Sequence, residues 1–215
     1  MHAKSSKILH QLDWCSLIHE LSALATVQAG HPFRGSVPAV AGGNAFVLQM
    51  RDVTPAGGIA WHQLVQTQID TRKPVHWLQR GDVVFVARGA RNYAVCVAEV
   101  PVAAVCSQYF FVLRITSPLL LPEFLAWQIN RQPAQRYLAS NAEGSDQLSI
   151  RRGVLEALSI AVPPLSRQRA LVALAAAAHQ EAERLAALIR NREQQQDALA
   201  TELFKSSPSF AAQDK

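Results

Sequence analysis

The chain has 215 residues, of which 49% are hydrophobic, and it carries 21 basic and 16 acidic residues for a net charge of +5. This composition excludes a disordered chain and suits one large domain, or one domain with an appendage, while the mild basicity permits nucleic-acid binding without demanding it. We expect neither a membrane span nor a secretory peptide, and three cysteines without a CxxC pair favour a reducing cytoplasm.

The first half of the chain predicts a β-rich domain. Residues 1–12 are polar and predict a frayed segment or a loose helix, and residues 14–30 suit a short helix or a helix that runs into a strand. A loop rich in glycine and proline follows. The later segments AFVLQMRDV, GDVVFVARG, NYAVCVAEV and YFFVLRI are short apolar runs between turn residues, which predicts strands, the second of them buried.

Helical periodicity begins near residue 121. A helix is predicted to start at Pro122, since proline fits the first helical turn, and to break or kink at Pro133. SNAEGSDQ then predicts a polar loop. One helical turn is predicted around Val154–Leu158, followed by a strand that ends at Pro163. Residues up to 165 therefore indicate a mixed α/β domain with a β core.

A long helix is predicted from Ser166, as its N-cap, to Phe204, because this stretch contains neither proline nor glycine. Steps of four and three residues along it define a heptad pattern, which is typical of a coiled coil. We call these positions the seam: Leu171, Ala175, Ala178, Ala182, Leu185, Ile189, Arg192, Gln196, Leu199 and Leu203. The helix either lies on its own domain or projects and needs a second helix from another chain.

Together these patterns predict an α+β fold. We expect a domain over residues 1–162, a long partner-binding helix over 163–206 and a disordered tail over 207–215.

Motifs for catalysis are missing from the sequence. It contains no GxGxxG or GxxxxGK[ST] motif, and its VPPL segment lacks the polar and aromatic neighbours of an amino-methyltransferase Pro-Pro element. The histidines have no metal-ligand spacing. Asp82 suits either a catalytic carboxylate or, more simply, a cap for the turn before a buried strand. We therefore expect a binding protein that is not an enzyme and holds neither a cofactor nor a metal.

Candidate DNA contacts lie in loops, where lysine and arginine can neutralise phosphates and polar side chains can reach base edges. The RGARNY segment is the densest group. The candidates are Arg34, Arg72, Lys73, Arg88, Arg91, Asn92, Tyr93, Ser145, Gln147, Arg151 and Arg152, with Asn141 beside them.

Several segments, in order along the chain, resemble the specificity subunits of type I restriction–modification systems. LATVQAGHPF (24–33), FVLQMRDVTPAGGI (46–59), LQRGDVVFVARGARNYAV (78–95) and LPEFLAWQINRQPAQRYL (121–138) each resemble a segment of that family. The stretch over 143–188, which contains the pattern I-x-x-P-P-L-x-x-Q, resembles the junction between a target recognition domain and a spacer helix.

The resemblance implies that the domain reads one half of a split double-stranded DNA target and that the helix pairs antiparallel with a counterpart. It also implies docking of a methyltransferase subunit, which would supply S-adenosylmethionine, and it allows a nuclease–translocase subunit. Family members carry two recognition domains and two helices, whereas this sequence has one of each. The SDQ at 145–147 also replaces a stretch that is often threonine-rich in the family.

Alternatives remain open at this point. The helix can pair two copies of this chain, or this chain with a different half-subunit. A dimeric DNA-binding repressor or adaptor without methyltransferase partners also fits the sequence. A hydrolase that uses Cys96, near Tyr93, is a third hypothesis, although no base is placed beside it by the sequence.

Overall fold

The computed structural model of the protein describes residues 17–55, 58–71, 74–144 and 148–206. The strands in these ranges are β1 Leu17–Glu20, β2 Ala25–Ala29, β3 Ala45–Leu48, β4 Val53–Thr54, β5 Gly58–Ile59, β6 Val65–Thr67, β7 Val83–Val86, β8 Arg88–Gly89, β9 Ala94–Cys96, β10 Ala104–Cys106, β11 Phe110–Ile115, β12 Leu148–Ser149 and β13 Ser159–Val162. The α-helices are α1 Pro122–Ile129, α2 Gln132–Ser140, α3 Arg152–Glu156 and α4 Leu165–Ser206.

The central sheet has four antiparallel strands in the order β2-β11-β7-β9. Its strand β7 is buried along its whole length. A second sheet has the order β10-β3-β6, in which β10 runs parallel to β3 and β6 antiparallel to it. Short two-stranded pairings join β1 to β13, β8 to β12 and β4 to β5.

Two hydrophobic cores cover the opposite faces of the central sheet. Val83 and Phe85 point into a core shared with α1, α2 and α3. The alternate residues Val84 and Val86 point into a core shared with the second sheet. Because successive strand residues face opposite sides, a strand that is buried on both faces reads as a continuous apolar run. This explains the VVFV sequence.

The helices after residue 121 follow the predicted pattern. Helix α1 begins at Pro122, and the chain turns at Asn130 before α2 carries Pro133 in its first turn. The proline therefore separates two helices, as predicted. Of the two alternatives for residues 14–30, the helix is wrong in the described part, which is β1 followed by a single 3-10 turn at Leu21–Ala23, while the strand of the second alternative is present as β2. Strand β1 forms because it pairs with β13, which is distant in the sequence.

The long helix begins at Leu165, one residue before the expected N-cap Ser166. Its first turn is anchored by Gln168, whose side chain is fully buried. The Gln168 amide nitrogen donates to the carbonyls of Leu119 and Pro163 at 2.7 Å each, and its amide oxygen accepts from the Leu121 N–H at 2.9 Å. The glutamine of the I-x-x-P-P-L-x-x-Q pattern therefore connects the helix start to the segment before α1.

We expect Gln168→Leu to lower the free energy of unfolding by about 2 kcal/mol, because it leaves the buried Pro163 carbonyl and the partly buried Leu119 carbonyl and Leu121 N–H without their partner. Urea unfolding followed by circular dichroism measures this change. Gln194→Leu is the matched control, since Gln194 is exposed on the same helix. Equal losses in the two variants would contradict the anchoring role.

The α+β fold and the long C-terminal helix are confirmed. Two compact units divide the chain between Val172 and Ala173. The expected domain limits at 162 and 163 stay predictions, and the expected tail at 207–215 lies outside the described residues. Among the helices that the structure describes, none is both long enough and apolar enough to cross a membrane.

Candidate nucleic-acid interface

Pairing of β8 with β12 brings two arginine-bearing loops together. Arg88 lies opposite Ser149, and Gly89 opposite Leu148. Gly89 has a φ of +147°, and a side chain there would approach the Met50 sulfur at 3.5 Å. That distance is an ordinary van der Waals contact, so the backbone conformation is what favours glycine here, and the hairpin at 88–93 lies beside the turn at Met50–Asp52.

The arginines of this hairpin region are accessible. Arg88 and Arg91 are exposed. Arg151 pairs with Glu143 and Arg152 with Glu156, both at 2.7 Å. Such surface pairs contribute little to stability, and a guanidinium has five N–H donors, so both arginines retain donors for a phosphate.

Asn92 and Tyr93 have different surroundings from the arginines. The Asn92 side chain is buried and donates to the Val86 carbonyl at 3.0 Å. The Tyr93 hydroxyl donates to the Val53 carbonyl at 2.8 Å, and burial raises the pKa of this phenol. In this structure both side chains hold the hairpin in place.

Arg34 lies in a second loop, which follows Gly30. A side chain at Gly30 would collide with the Ser107 carbonyl, so the loop can approach Ser107 only with glycine there. Gln108 holds the loop through both amide atoms: it accepts from the Phe33 N–H at 3.0 Å and donates to the Phe33 carbonyl at 3.3 Å. Arg34 is exposed and lines a cleft of about 710 Å³.

Four of the predicted DNA-binding residues cannot be placed. Arg72, Lys73, Ser145 and Gln147 lie outside the described residues. The residues next to the first two, Thr71 and Pro74, line the same cleft as Arg34.

The sequence did not predict a concavity of about 390 Å³ that has polar residues in its lining. Gln49, Arg51, Ser107 and Gln108 are among the residues that line it. Ser107 is 2% exposed, and its hydroxyl and the Gln49 side-chain nitrogen are buried without a hydrogen-bond partner within the described part of the chain. Buried polar groups normally have partners, so unpaired ones in a concavity are candidates for binding a polar ligand.

The turn before this concavity explains why Arg51 is exposed. The Gln49 N–H donates to the Asp52 carboxylate at 2.9 Å, and the Asp52 N–H donates to the Gln49 carbonyl at 3.0 Å. This reciprocal capping buries Asp52 and leaves Arg51 66% exposed. The QMRD segment of the sequence carried this signal, since an Asp three residues after Gln is a capping pattern.

These loops are connected into one surface. Gln108 lines both the Arg34 cleft and the 390 Å³ concavity, while the turn at Met50–Asp52 packs beside the hairpin at Gly89. We call this surface the loop face. Its residues are Arg34, Gln49, Arg51, Arg88, Arg91, Ser107, Gln108, Arg151 and Arg152.

Asp82 has the structural role that its position before β7 indicates. Its carboxylate accepts from the Gln79 N–H at 2.8 Å and from the Nε and Nη2 of Arg114, also at 2.8 Å each. This interaction raises the pKa of Arg114. The bidentate partner in β11 could not be inferred from the sequence.

Cys96 is poorly suited to act as a nucleophile. Burial, followed by the carboxylates of Glu123 and Asp82, raises the pKa of its thiol to about 12. A thiol of this kind stays protonated at neutral pH, whereas attack requires the thiolate. Burial raises the pKa of Cys106 as well. Among the described residues, no group of three or more His, Cys, Asp and Glu side chains could hold a metal ion.

The raised thiol pKa predicts weaker folding at alkaline pH. The thiol of a cysteine in the unfolded chain has a pKa of about 8.5. Between that pH and about 12, the unfolded state therefore binds fewer protons than the folded state. The free energy of unfolding should therefore fall as pH rises through this window, by up to about 1 kcal/mol per pH unit for the partly buried Cys96. Urea unfolding at pH 8, 9 and 10 should show a shallower fall for Cys96→Ala, and identical slopes would contradict the shift.

The seam residues fall into two groups. Leu171 packs partly against the core of its own domain. Ala175 is half-buried, and the remaining seam positions are exposed, at Ala178, Ala182, Leu185, Ile189, Arg192, Gln196, Leu199 and Leu203. Exposed leucines at 174 and 188 flank them. The described helix therefore presents an uncovered apolar stripe.

Comparison with known proteins gives structural relatives only. No protein-family model matches the chain, and no curated protein matches it in sequence. Its structure is similar to that of the type I restriction–modification S subunit from M. genitalium, with a TM-score of 0.56, 16% identity, and coverage of 94% of this chain and 49% of that chain. For the HsdS subunit from Thermoanaerobacter tengcongensis the TM-score is 0.63, the identity 18%, and the coverage 86% of this chain and 47% of that chain.

A third similar chain comes from a study of complex assembly and conformational transition in the type I restriction–modification system. Its TM-score is 0.52 at 16% identity, and the match covers 87% of this chain and 43% of that one. The chain thus spans about half the length of the structures it matches. These likenesses show that the protein has the fold of one half of a type I specificity subunit: a mixed α+β body followed by a long helix.

Proposed function

We propose that this protein is a half-length DNA specificity subunit of a type I restriction–modification complex. The observation that carries the proposal is the coverage: nearly the whole chain matches less than half of each S subunit, with one body and one helix. Two such halves make a complete specificity subunit. The protein itself would perform no catalysis, and S-adenosylmethionine would bind to the methyltransferase partner.

The loop face is the proposed DNA-binding surface. Its arginines would contact phosphates, and Arg72 and Lys73 would add to them. Arg51, Arg88 and Arg91 are the proposed base readers, because an exposed guanidinium can pair with guanine O6 and N7 in the major groove. The buried Ser107 hydroxyl and the Gln108 amide, which is bonded to Phe33, would shape the surface beside them. Ser145 and Gln147 are further proposed contacts from the loop after α2. Asn92 and Tyr93 would act by shaping the hairpin that presents Arg88 and Arg91.

The long helix is the proposed assembly element. With 42 residues it measures roughly 63 Å, and its exposed apolar stripe needs a partner. Two copies paired around a two-fold axis would hold two loop faces at a set distance, which predicts a palindromic, interrupted DNA target. The methyltransferase, and a nuclease–translocase where one is present, would dock on this frame.

Co-expression with a DNA methyltransferase that carries an Asn-Pro-Pro-aromatic element tests the proposal. The two proteins should purify together, and sequencing of the methylated host DNA should show one interrupted, palindromic motif. The methyltransferase expressed alone is the control and should not methylate this motif. A stable dimer that binds DNA but never purifies with a methyltransferase would indicate a repressor or adaptor instead.

A further inference from the structure

The seam of α4 is complementary to itself in the antiparallel direction. About an axis at Ala187, each seam position meets another seam position of a second copy: Leu171 meets Leu203, Ala175 meets Leu199, Ala178 meets Gln196, Ala182 meets Arg192 and Leu185 meets Ile189. The small alanines of the first half thus face the long side chains of the second half. This is the size complementarity that closely packed helices require.

A parallel pair lacks this complementarity. It would place Arg192 against Arg192 of the second copy, and alanine against alanine at the earlier seam positions. Like charges would then meet in the seam, and the alanine layers would leave gaps. The antiparallel register instead sets Arg192 beside Ala182 and within reach of Glu181 of the second copy.

An apolar groove of about 600 Å³ lies beside the first seam residue. Leu171 lines it together with Ile18 of β1, Trp127 of α1 and Ala161 of β13. Ile18 is 70% exposed. Trp127 stacks on Phe124 with ring centroids 5.4 Å apart, and the Arg131 guanidinium lies 5.5 Å from the centre of the Trp127 ring at the rim. The groove thus offers an aromatic surface next to Leu171.

We infer that this groove receives Phe204 from the last helical turn of a second copy of this chain. The register places Leu203 of that copy against Leu171, so the next residue, Phe204, comes beside the groove. Phe204 is 66% exposed and Leu203 is 70% exposed on the helix. An aromatic side chain in an aromatic groove gains both apolar burial and ring stacking. The inference deepens the proposed function, because it states how the two halves are locked in register.

Charge at the rim supports this occupant. Arg131 and Arg167 line the groove. The carbonyls of the last turn of a helix carry a partial negative charge, which favours cations close to that end. Glu202 lies in the same turn as Phe204, and the opposite charge of Lys205, which follows, offsets it. The partial negative charge of the terminal carbonyls therefore remains to attract the two arginines.

Photo-cross-linking tests the inference in the full-length dimer. The probe p-benzoylphenylalanine replaces Phe204, and ¹⁵N-labelled and unlabelled copies are mixed before irradiation. Mass spectrometry should find cross-links between the two copies that join residue 204 to peptides around Trp127 or Ala161. Cross-links within one copy, cross-links to the end of the second helix, or a monomer at micromolar concentration would overturn the inference. The reverse probe at Ile18 should reach residues 199–206 of the second copy, and reaction with residues 1–16 would also overturn it.

Substitutions provide a second measurement. Phe204→Ser should raise the dimer dissociation constant roughly tenfold or more, while Phe204→Leu should change it about threefold or less. Leu119→Ser is the control, because Leu119 is an exposed apolar residue outside the groove. Equal dimer dissociation constants for Phe204→Ser and the native chain would overturn the inference.

Site-specific DNA methylation by the complex is a separate measurement. If the expected cross-links form but the complex does not methylate a specific site, the proposed function is rejected and the groove inference stands. If methylation is retained but the cross-links form elsewhere, the groove inference is rejected and the proposed function stands.

Discussion

Proline at position 187 is expected to abolish pairing of the long helix. Ala187 lies at the proposed symmetry axis, so Ala187→Pro interrupts both helices at the centre of the seam, next to Leu185 and Ile189. Proline inside a helix costs about 3 kcal/mol or more, which amounts to about 6 kcal/mol for a dimer. We therefore expect the dimer dissociation constant to rise by roughly four orders of magnitude.

Analytical ultracentrifugation measures this effect, and thermal unfolding checks the body. The body should keep its melting behaviour, since residues up to Val172 form a compact unit of their own. Ala187→Gln is the matched control, because position 187 points away from the seam and glutamine is a good helix former. A dimer that survives Ala187→Pro unchanged would show that the seam does not hold two copies together.

Removal of three arginines from the loop face should produce the second large effect. The variant Arg51→Ala, Arg88→Ala, Arg91→Ala removes exposed cations on both sides of the packed pair Met50 and Gly89. For every phosphate that the protein no longer neutralises, the log–log slope of DNA affinity against salt concentration should fall by about one unit. An arginine that binds a base should cost about 1–3 kcal/mol in addition, so the combined loss of affinity should reach at least roughly a hundredfold.

Fluorescence anisotropy with labelled duplex DNA, across a range of salt concentrations, measures both quantities. The control removes the same charge from the helix through Arg184→Ala, Arg190→Ala and Lys205→Ala, at positions that point away from the seam. This control should change the slope much less, because those cations alternate with glutamates along the helix. Equal losses in the two triple variants would show that binding depends on net charge, and that the loop face has no special role.

Local patterns in the sequence predicted much of the fold because they reflect local physics. The VVFV run predicted the buried strand β7, Pro122 predicted the start of α1, Pro133 predicted the break that follows α1, and the absence of proline and glycine predicted α4. The Asp82 turn cap was also predicted, since such a cap involves residues three positions apart. The exposed arginines of the RGARNY hairpin follow from the same local reasoning.

Interactions between distant segments were beyond the sequence. The prediction of a helix at β1 was wrong, because the extended form of this segment depends on β13. Gln49, Arg51 and Ser107 were not predicted, because they come from two separate loops that only the packed sheets bring to one concavity. The predicted DNA contact of Asn92 stays a prediction; its buried amide donates to the Val86 carbonyl, which is close in the sequence, yet a polar residue in a turn does not reveal such a bond in advance.

The sequence by itself determined the order of the elements and the heptad seam, because helix and strand periodicity and proline and glycine effects act over a few residues. The tertiary structure decided which loops share a face, which polar groups are buried, and that Gln168 anchors the helix to the body. Those features depend on pairs of residues far apart in the chain, whose proximity is set by packing of the whole domain. The heptad pattern of the seam was predicted from the sequence, whereas the exposure of its side chains on the helix is known only from the structure.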